Sequence, residues 1–515
     1  MTKPGKIAVI VTARNQAKYL GDALTSLVRQ SLPATEFLYA DDGSDDNSCE
    51  IADKFNGVRV LRLKHQGVVK ARNAAYAALR SPVRDVPYVL FADGDNLLSF
   101  DFLKSAAAAL DADKAAAVAY SRIIRLIETP AGHQTHCWRG NSAWDYDALA
   151  EANFADSSSL VRREAFEASG KWEDVLNTYW DWWLWLRLTR AGWRMNRLPE
   201  SEYLLYRSHP AQHSKVMESK RLDAYLWVQQ RLPVTLFTPF APGRPWSLEL
   251  WRENVLRSGL DLKRAHILIA DNTGDPEQSA RIVSILRELS PNAWTVLPGD
   301  SRNYDDLGLR LNHGMTKMMC RLWRRALRHV EGDILWSLED DIRIPEGGYS
   351  RLVSALRPHV GIVGSPAVSR WRRPLEVMAN RLKSADPYDL AEREDHRTDY
   401  TGMQLSGVES VGSTSVSSTI IRGSIFRAHA PMLTPNGDDR WYGHEFSLMR
   451  RCIQAGREVL CHWDTPVDHM VDGEEGLTVA AWREEMRKPD YYRKPDFSQI
   501  TVVAPDVAKE VPSCA

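Results

Sequence analysis

Asp93 and Asp95 close the run "LFADGDNLL", and Glu339, Asp340 and Asp341 close "LWSLEDDIRI". Carboxylates at i and i+2 on the end of a buried strand point to the same side, and the glycine between Asp93 and Asp95 lets a ligand come close to the backbone. Two hard oxygen donors side by side suit Mn²⁺ or Mg²⁺, cations that keep coordination positions open for the phosphate oxygens of a substrate. A solvated Asp-Gly turn is the competing reading of the motif by itself. Placement directly after the apolar run "YVLFA" favours the metal reading.

Asp181 and Glu445 carry a second chemistry. On a helix Asp181, Leu184, Trp185 and Leu188 fall at i, i+3, i+4 and i+7, so the carboxylate shares a stripe with core-facing groups. Such an acid is either an N-cap or a catalyst, and at the rim of an apolar pocket its pKa rises toward the range of a general base. Glu445 shares a stripe with Leu448, Met449 and Cys452, and each acid stands ten residues before an Ala-Gly pair. In "ADDGSDD", Asp45 and Asp46 are explained as caps of the following helix, which leaves Asp41 and Asp42 to meet a base or ribose. Arg72, in "KARNAA", is either a surface helix charge or a group facing a pyrophosphate.

These residues need a scaffold that gathers strand ends. From Lys6 the chain alternates apolar strands such as "KIAVIVTA" and "PYVLFADGD" with amphipathic helices, the pattern of right-handed βαβ units and a parallel sheet buried on both faces. Ligands of such sheets bind outside the carboxyl ends of the strands, where Thr12, Asp41, Asp42, Asp93 and Asp95 lie. The order then repeats from "LPVTLFT". "YADDGSDD" matches "IADNTGDP", which aligns Asp271 and Asn272 with the first acid pair. "GVVKARNAAYAAL" matches "GMTKMMCRLWRRAL", "ADGDN" matches "LEDDI", and "SSSLVRREAF" matches "SSTIIRGSIF". A histidine follows in both halves, His209 in "YRSHP" and His469 in "VDHM". The expected division is 1–215, a helical linker at 216–231, a second domain at 232–471 and a C-terminal extension at 472–515.

The 515 residues carry 66 Lys+Arg against 67 Asp+Glu, so no global basic field points to nucleic acid, and any anion must be gripped locally. The basic runs at 321–329, 370–374 and 486–496, two of them interleaved with tryptophan, leave open a polyanionic acceptor; solvated helix faces are the simpler explanation. The polar stretch 381–404 has the length of a lid loop. The 18 tryptophans suggest either stacking surfaces or helix-packing anchors. Six scattered cysteines without metal-ligand spacing fit reduced thiols, and no run approaches the length of a membrane helix, so a cytoplasmic location is expected.

Residues 5 to about 215 resemble an inverting glycosyltransferase of family 2. The motifs that carry the likeness are "VIVTARNQAKYLGDALTSLVRQ", "DDGSDD", "GVVKARNAA", "DGD" at the family's Asp-X-Asp position, and the acid before "LWLRLTRAG". The resemblance implies the nucleotide-diphospho-sugar transferase (GT-A, Rossmann-like α/β) fold, twice in tandem, with mostly parallel central sheets. It also implies that Thr12 and Asp42 contact a uracil-type base or the ribose, that Asp93 and Asp95 hold ribose and Mn²⁺ or Mg²⁺, that Asp181 deprotonates the acceptor hydroxyl, and that His209 completes the metal shell. The family's usual Glu-Asp pair reads Trp180-Asp181 here, which touches the detail of base activation.

The second half resembles a divergent copy, with Asp271, Asn272, Glu339, Asp341, Glu445 and His469 in the corresponding places. It is either a second active transferase or a worn copy that binds acceptor. The persistence of ligand-type residues favours activity. The implied partners are a nucleotide-sugar donor and a hydroxyl acceptor on a glycan, glycolipid, protein or modified nucleic acid. A nucleotidyltransferase or a sugar-nucleotide binding module also uses acids at strand ends. The former needs no acceptor base and carries a glycine-rich loop after its first strand, where this chain has "TARNQAKY".

Overall fold

The computed structural model of the chain describes residues 6–129, 132–139, 144–175, 178–209, 220–299, 319, 321–367, 379–380, 406–411, 413–432, 444–471, 474–478, 480–481 and 484. The candidate lid at 381–404 and the basic runs at 370–374 and 486–496 lie outside them.

Two large sheets dominate. Across the first, the strands run in the order Arg194–Arg197, Ala116–Tyr120, Leu160–Arg162, Tyr88–Asp93, Ile7–Ala13, Glu36–Asp41, Arg59–Arg62. The second runs Glu458–His462, Val360–Gly364, Ser418–Arg422, Ile334–Leu338, Val234–Phe240, Ala265–Asp271, Ala293–Pro298, with Val408–Ser410 added beyond Glu458–His462. Strand for strand the two orders agree, and the registers do too. Ile7 pairs with Tyr88 as Val234 pairs with Ile334, and Tyr88 pairs with Arg162 as Ile334 pairs with Arg422. The fold is α/β with two mostly parallel sheets, as the sequence pattern implies.

One interior strand in each sheet departs from the parallel pattern, besides the antiparallel edge strand Val408–Ser410 of the second. Leu160–Arg162 runs antiparallel to both its neighbours, and so does Ser418–Arg422. Their chain approach therefore lies at the carboxyl end of the flanking strands, the end where Asp93 and Glu339 emerge. Residues just before these strands are delivered to the site instead of away from it.

The sheets are apolar on both faces because both are covered. Ile7, Val9 and Val11 face one core layer, with Leu20, Leu24, Phe102 and Leu110, while Ala8 and Ile10 face another. That second layer is continuous through both halves, from Phe91, Trp182 and Trp185 to Trp251, Ile267 and Trp336. The clustered tryptophans are thus mainly packing anchors: Trp182, Trp185, Trp251, Trp323, Trp336 and Trp463 are among the largest fully buried side chains. In the run 321–329, Leu322, Trp323 and Ala326 are buried and Arg321, Arg324 and Arg328 exposed, the pattern of a solvated helix face.

The helix Arg221–Gln229 fills the joint between the sheets. Tyr225 stacks on Trp182 with centroids 5.5 Å apart, and Gln229 donates to Ala150 O at 3.2 Å. From the other side the buried Arg422 donates to Gln229 Oε1 (3.1 Å), Tyr225 Oη (2.9 Å), Arg357 O (3.0 Å) and Val360 O (2.8 Å). Its counterpart Arg162 caps Ala116 O and Leu110 O within the first half. Arg190 and Tyr146 both bond Asp333 at 2.9 Å, and Arg457 pairs with Glu151, so buried charges at the joint are partnered across it. Removing a buried guanidinium that serves four acceptors leaves them unsatisfied. Arg422→Met is expected to cost about 3 kcal/mol and Tyr225→Phe about 1 kcal/mol, read by urea unfolding of the full chain.

Candidate functional site

The first-half site is built from four strand ends and one helix start. Thr12 lies beside Asp93 in the sheet register, and its buried Oγ1 has no hydrogen-bond partner among the described residues. One strand over, Asp41 is spent on its own turn, accepting from Tyr39 Oη (3.0 Å), Ser44 Oγ (2.5 Å) and Ser44 N (2.9 Å). Asp42 instead receives the backbone N–H groups of Gln66 (2.9 Å) and Gly67 (3.0 Å), with His65 Nδ1 at 2.9 Å. Gly67 reaches this position with φ +91°, a left-handed conformation natural only to glycine.

Arg72 is no surface charge. It is fully buried, donates from Nη2 to Asp93 Oδ1 (2.6 Å) and Ser157 Oγ (3.1 Å), and lies over the rings of Trp172 and Trp180. Its Nε and Nη1 have no partner among the described residues. Asp93 thus has a permanent counter-charge, which leaves Asp95 as the acid toward His209, whose Nε2 is 3.1 Å from Asp95 Oδ2. His209 is held against the ring of Tyr19 at 4.6 Å, and Arg207 Nε bonds Asp95 O at 3.1 Å. Gly94 is required by space, since a Cβ there falls 2.5 Å from Ala13 Cβ.

Asp181 stands in the first turn of the helix Trp180–Arg190, where its Oδ1 accepts from Trp182 N (2.8 Å) and its Oδ2 from Asn153 Nδ2 (3.0 Å). What joins it to the strand-end acids is Asp156, a residue the sequence analysis passes over. Burial pushes the Asp156 carboxyl up to about 7, and the charges of Asp93 and then Asp181 add to the shift. Three carboxylates from three elements therefore share one electrostatic environment. Asp156 reaches it because the strand that follows is antiparallel, a fact that "FADSSSLV" does not announce.

The second half preserves the frame and alters the chemistry. Asp271, like Asp41, is engaged in its own turn, by Thr273 N (3.0 Å), Thr273 Oγ1 (2.6 Å) and Ser279 Oγ (2.5 Å). Asn272 is buried at the Asp42 position. Glu339, Asp341 and His469 place one ligand atom each within 4.8 Å of one another, a set of two oxygens and a nitrogen that fits a divalent cation. Ser417, the counterpart of Ser157, donates directly to Glu339 Oε2 at 2.7 Å, and Val416 stands where Asp156 would. Asp468 pairs opposite Arg343, with His469 next to it, as Leu205 pairs opposite the aligned Leu97. The register thus brings His469 in three residues earlier on its strand than His209. Glu445 lies on the helix His444–Gln454; its side chain is outside the described residues. Asp340, in place of Gly94, is buried, and its carboxyl is pushed up first by burial and then by Asp341.

Residues 8–170 match the model of the glycosyl transferase family 2. This part of the chain is similar to family 2 glycosyltransferases. It is 34% identical over 113 residues to the poly(ribitol-phosphate) beta-N-acetylglucosaminyltransferase TarS of Staphylococcus aureus, covering 21% of this chain and 19% of that one. It is 30% identical over 104 residues to the glycosyltransferase GlyG of Streptococcus pneumoniae, 19% of this chain and 33% of the relative. The match to these curated relatives therefore spans a third of their length or less. Among solved structures, S. aureus TarS 1–349 in complex with UDP-GlcNAc aligns over 63% of this chain and 84% of its own, with a TM-score of 0.37 and 18% identity. Among the described residues no helix is long and apolar enough to cross a membrane.

Two outcomes follow for this site. Gly94→Ala is expected to displace Asp93 and Asp95 at their strand end, lowering turnover of a donor sugar at least about tenfold and stability by about 1–3 kcal/mol. Between the ordinary Asp value of 3.8 and about 7 the folded chain holds a proton on Asp156 that the unfolded chain has lost, so this group's contribution to stability falls as pH rises through that window. Asp156→Asn removes that loss. Its unfolding temperature relative to the parent is expected to climb from pH 4 to pH 8, and a flat difference would contradict the assignment.

Proposed function

We propose that the first half transfers a sugar from a nucleoside-diphosphate donor to an acceptor hydroxyl in a single inverting displacement. The observation that supports this reading is that the charges of Asp93 and Asp181 both act on the buried Asp156, as expected if a strand-end donor site and a helix-borne base serve one cleft. The family match is its support from outside the site.

Thr12, whose hydroxyl has no partner among the described residues, and Asp42, held by the Gln66–Gly67 turn, take the base and ribose of a nucleotide such as UDP. Asp93, neutralised by Arg72, faces the ribose. Asp95 and His209 are the residues that would hold Mn²⁺ or Mg²⁺, and the bound cation would neutralise the charge that develops on the departing diphosphate. Asp181 accepts the acceptor's proton as the hydroxyl oxygen attacks the anomeric carbon. The new C–O bond forms on the face opposite the old one, whose electron pair leaves with the nucleoside diphosphate. A proton held by Asp156 near neutral pH reduces the mutual repulsion of the acids around it.

A second reading gives the other half a site of its own, with Glu339, Asp341 and His469 around a cation and Glu445 as base. The oxygen and nitrogen donor set of that cluster is the observation that favours it over a purely structural copy. The changes at Asn272, at Met319 in the place of Arg72, and at Val416 mean that its donor would be gripped differently.

The test is nucleoside diphosphate release from a panel of UDP- and GDP-sugars with Mn²⁺ and candidate acceptors. Asp181→Ala is expected to slow release by roughly a hundredfold to ten-thousandfold, the range for loss of a general base. Glu445→Ala in the same panel reports whether the second half turns over. Undiminished turnover of a true donor by Asp181→Ala would remove Asp181 from the mechanism.

A further inference from the structure

Each half brings an arginine to its acid cluster, from different places in the fold. In the first half Arg72 comes from the helix Val68–Ala77 and bonds Asp93, leaving Asp95 to His209. At the matching position of "GMTKMMC" the second half has Met319, which packs against the apolar core. Its arginine is Arg244, in the turn "FAPGRPW" that leaves the strand Val234–Phe240. Arg244 Nη1 is 3.1 Å from Asp340 Oδ1 and 2.8 Å from Asp341 Oδ2.

The difference in target is what matters. Asp341 holds the place of Asp95, so in the second half the guanidinium sits on a cation ligand itself, where in the first it sits on the neighbouring acid. Asp340 accounts for the shift. It replaces Gly94, it is buried, and it accepts from Ala241 N (3.0 Å) and Ser247 Oγ (3.3 Å) besides Arg244. The added acid at this strand end needs a counter-charge beside it, and with Met319 in the place of Arg72 an arginine from the adjacent turn supplies it.

We propose that Arg244 is the resident counter-ion of the second acid cluster and sets that cluster's affinity for a divalent cation, by holding Asp341 when the cation is absent and opposing the cation when it arrives. This rests on the reading of Glu339, Asp341 and His469 as a cation site. Repulsion between a guanidinium and a divalent ion a few ångströms away is ample to move an affinity by about tenfold or more at protein dielectric constants. A guanidinium displaced from Asp341 is also suited by its fork of donors to diphosphate oxygens, so cation and nucleotide would load this site together and the cation alone would load it poorly.

The experiment titrates Mn²⁺ alone into the full chain carrying Asp95→Asn, which disables the first-half cation ligands, and reads free Mn²⁺ by electron paramagnetic resonance. Adding Arg244→Gln is expected to tighten the remaining binding by about tenfold or more. Arg244→Lys keeps the charge and is expected to leave it within about threefold. Asp341→Asn on top of Arg244→Gln is expected to abolish it. Unchanged or weaker binding in Arg244→Gln, tightening that survives Asp341→Asn, or no binding in any variant overturns the proposal. Sugar transfer by the first half is read separately, through Asp181, and is untouched by any of these outcomes.

Discussion

Carboxylates gathered at the end of a parallel sheet repel one another, and each must be given a partner before a ligand arrives. That constraint orders both halves of this protein. In the first half the partners are Arg72 for Asp93, His209 for Asp95, the Gln66 and Gly67 amides for Asp42, and a proton for Asp156 near neutral pH. Around them the protein spends a buried guanidinium flanked by two tryptophans and a left-handed glycine. Neither has an evident use in folding alone.

The antiparallel strand is what converts a common α/β sheet into a site with two sides. Because Leu160–Arg162 is entered from the carboxyl end of its neighbours, Ser157 arrives beside Arg72 and Asp93, and Asp156 arrives where the charges of Asp93 and of Asp181, on the helix Trp180–Arg190, both act on it. The same inversion in the second sheet brings Ser417 to Glu339. Repetition of that device, with altered residues upon it, suits a frame kept for its geometry while its chemistry drifted.

Much of this was legible in the sequence because it is carried by local pattern. Apolar runs ending in acids located the strand ends, and the paired segments "SSSLVRREAF" and "SSTIIRGSIF" located elements that the structure places in equivalent positions. What escaped was whatever depends on strand direction or on contacts without a repeat. Asp156 reads as an ordinary loop acid until the next strand is known to be antiparallel. Arg244 lies in a proline- and glycine-bearing turn with no matching residue in the first half, so alignment of the two halves passes over it. Arg72 left two readings open, and only its burial between Trp172 and Trp180 separates them. The likeness of His209 and His469 in the sequence conceals a three-residue difference in how they enter their strands.

The central claim is that the strand-end acids and Asp181 serve one cleft. Anomalous diffraction from Mn²⁺ in crystals grown with a nucleoside diphosphate tests it most directly. The account predicts a Mn²⁺ peak between Asp95 and His209 with the diphosphate turned toward Asp156 and Asp181. A nucleotide bound at another face, with Asp181 opening onto a surface the diphosphate does not reach, would contradict it.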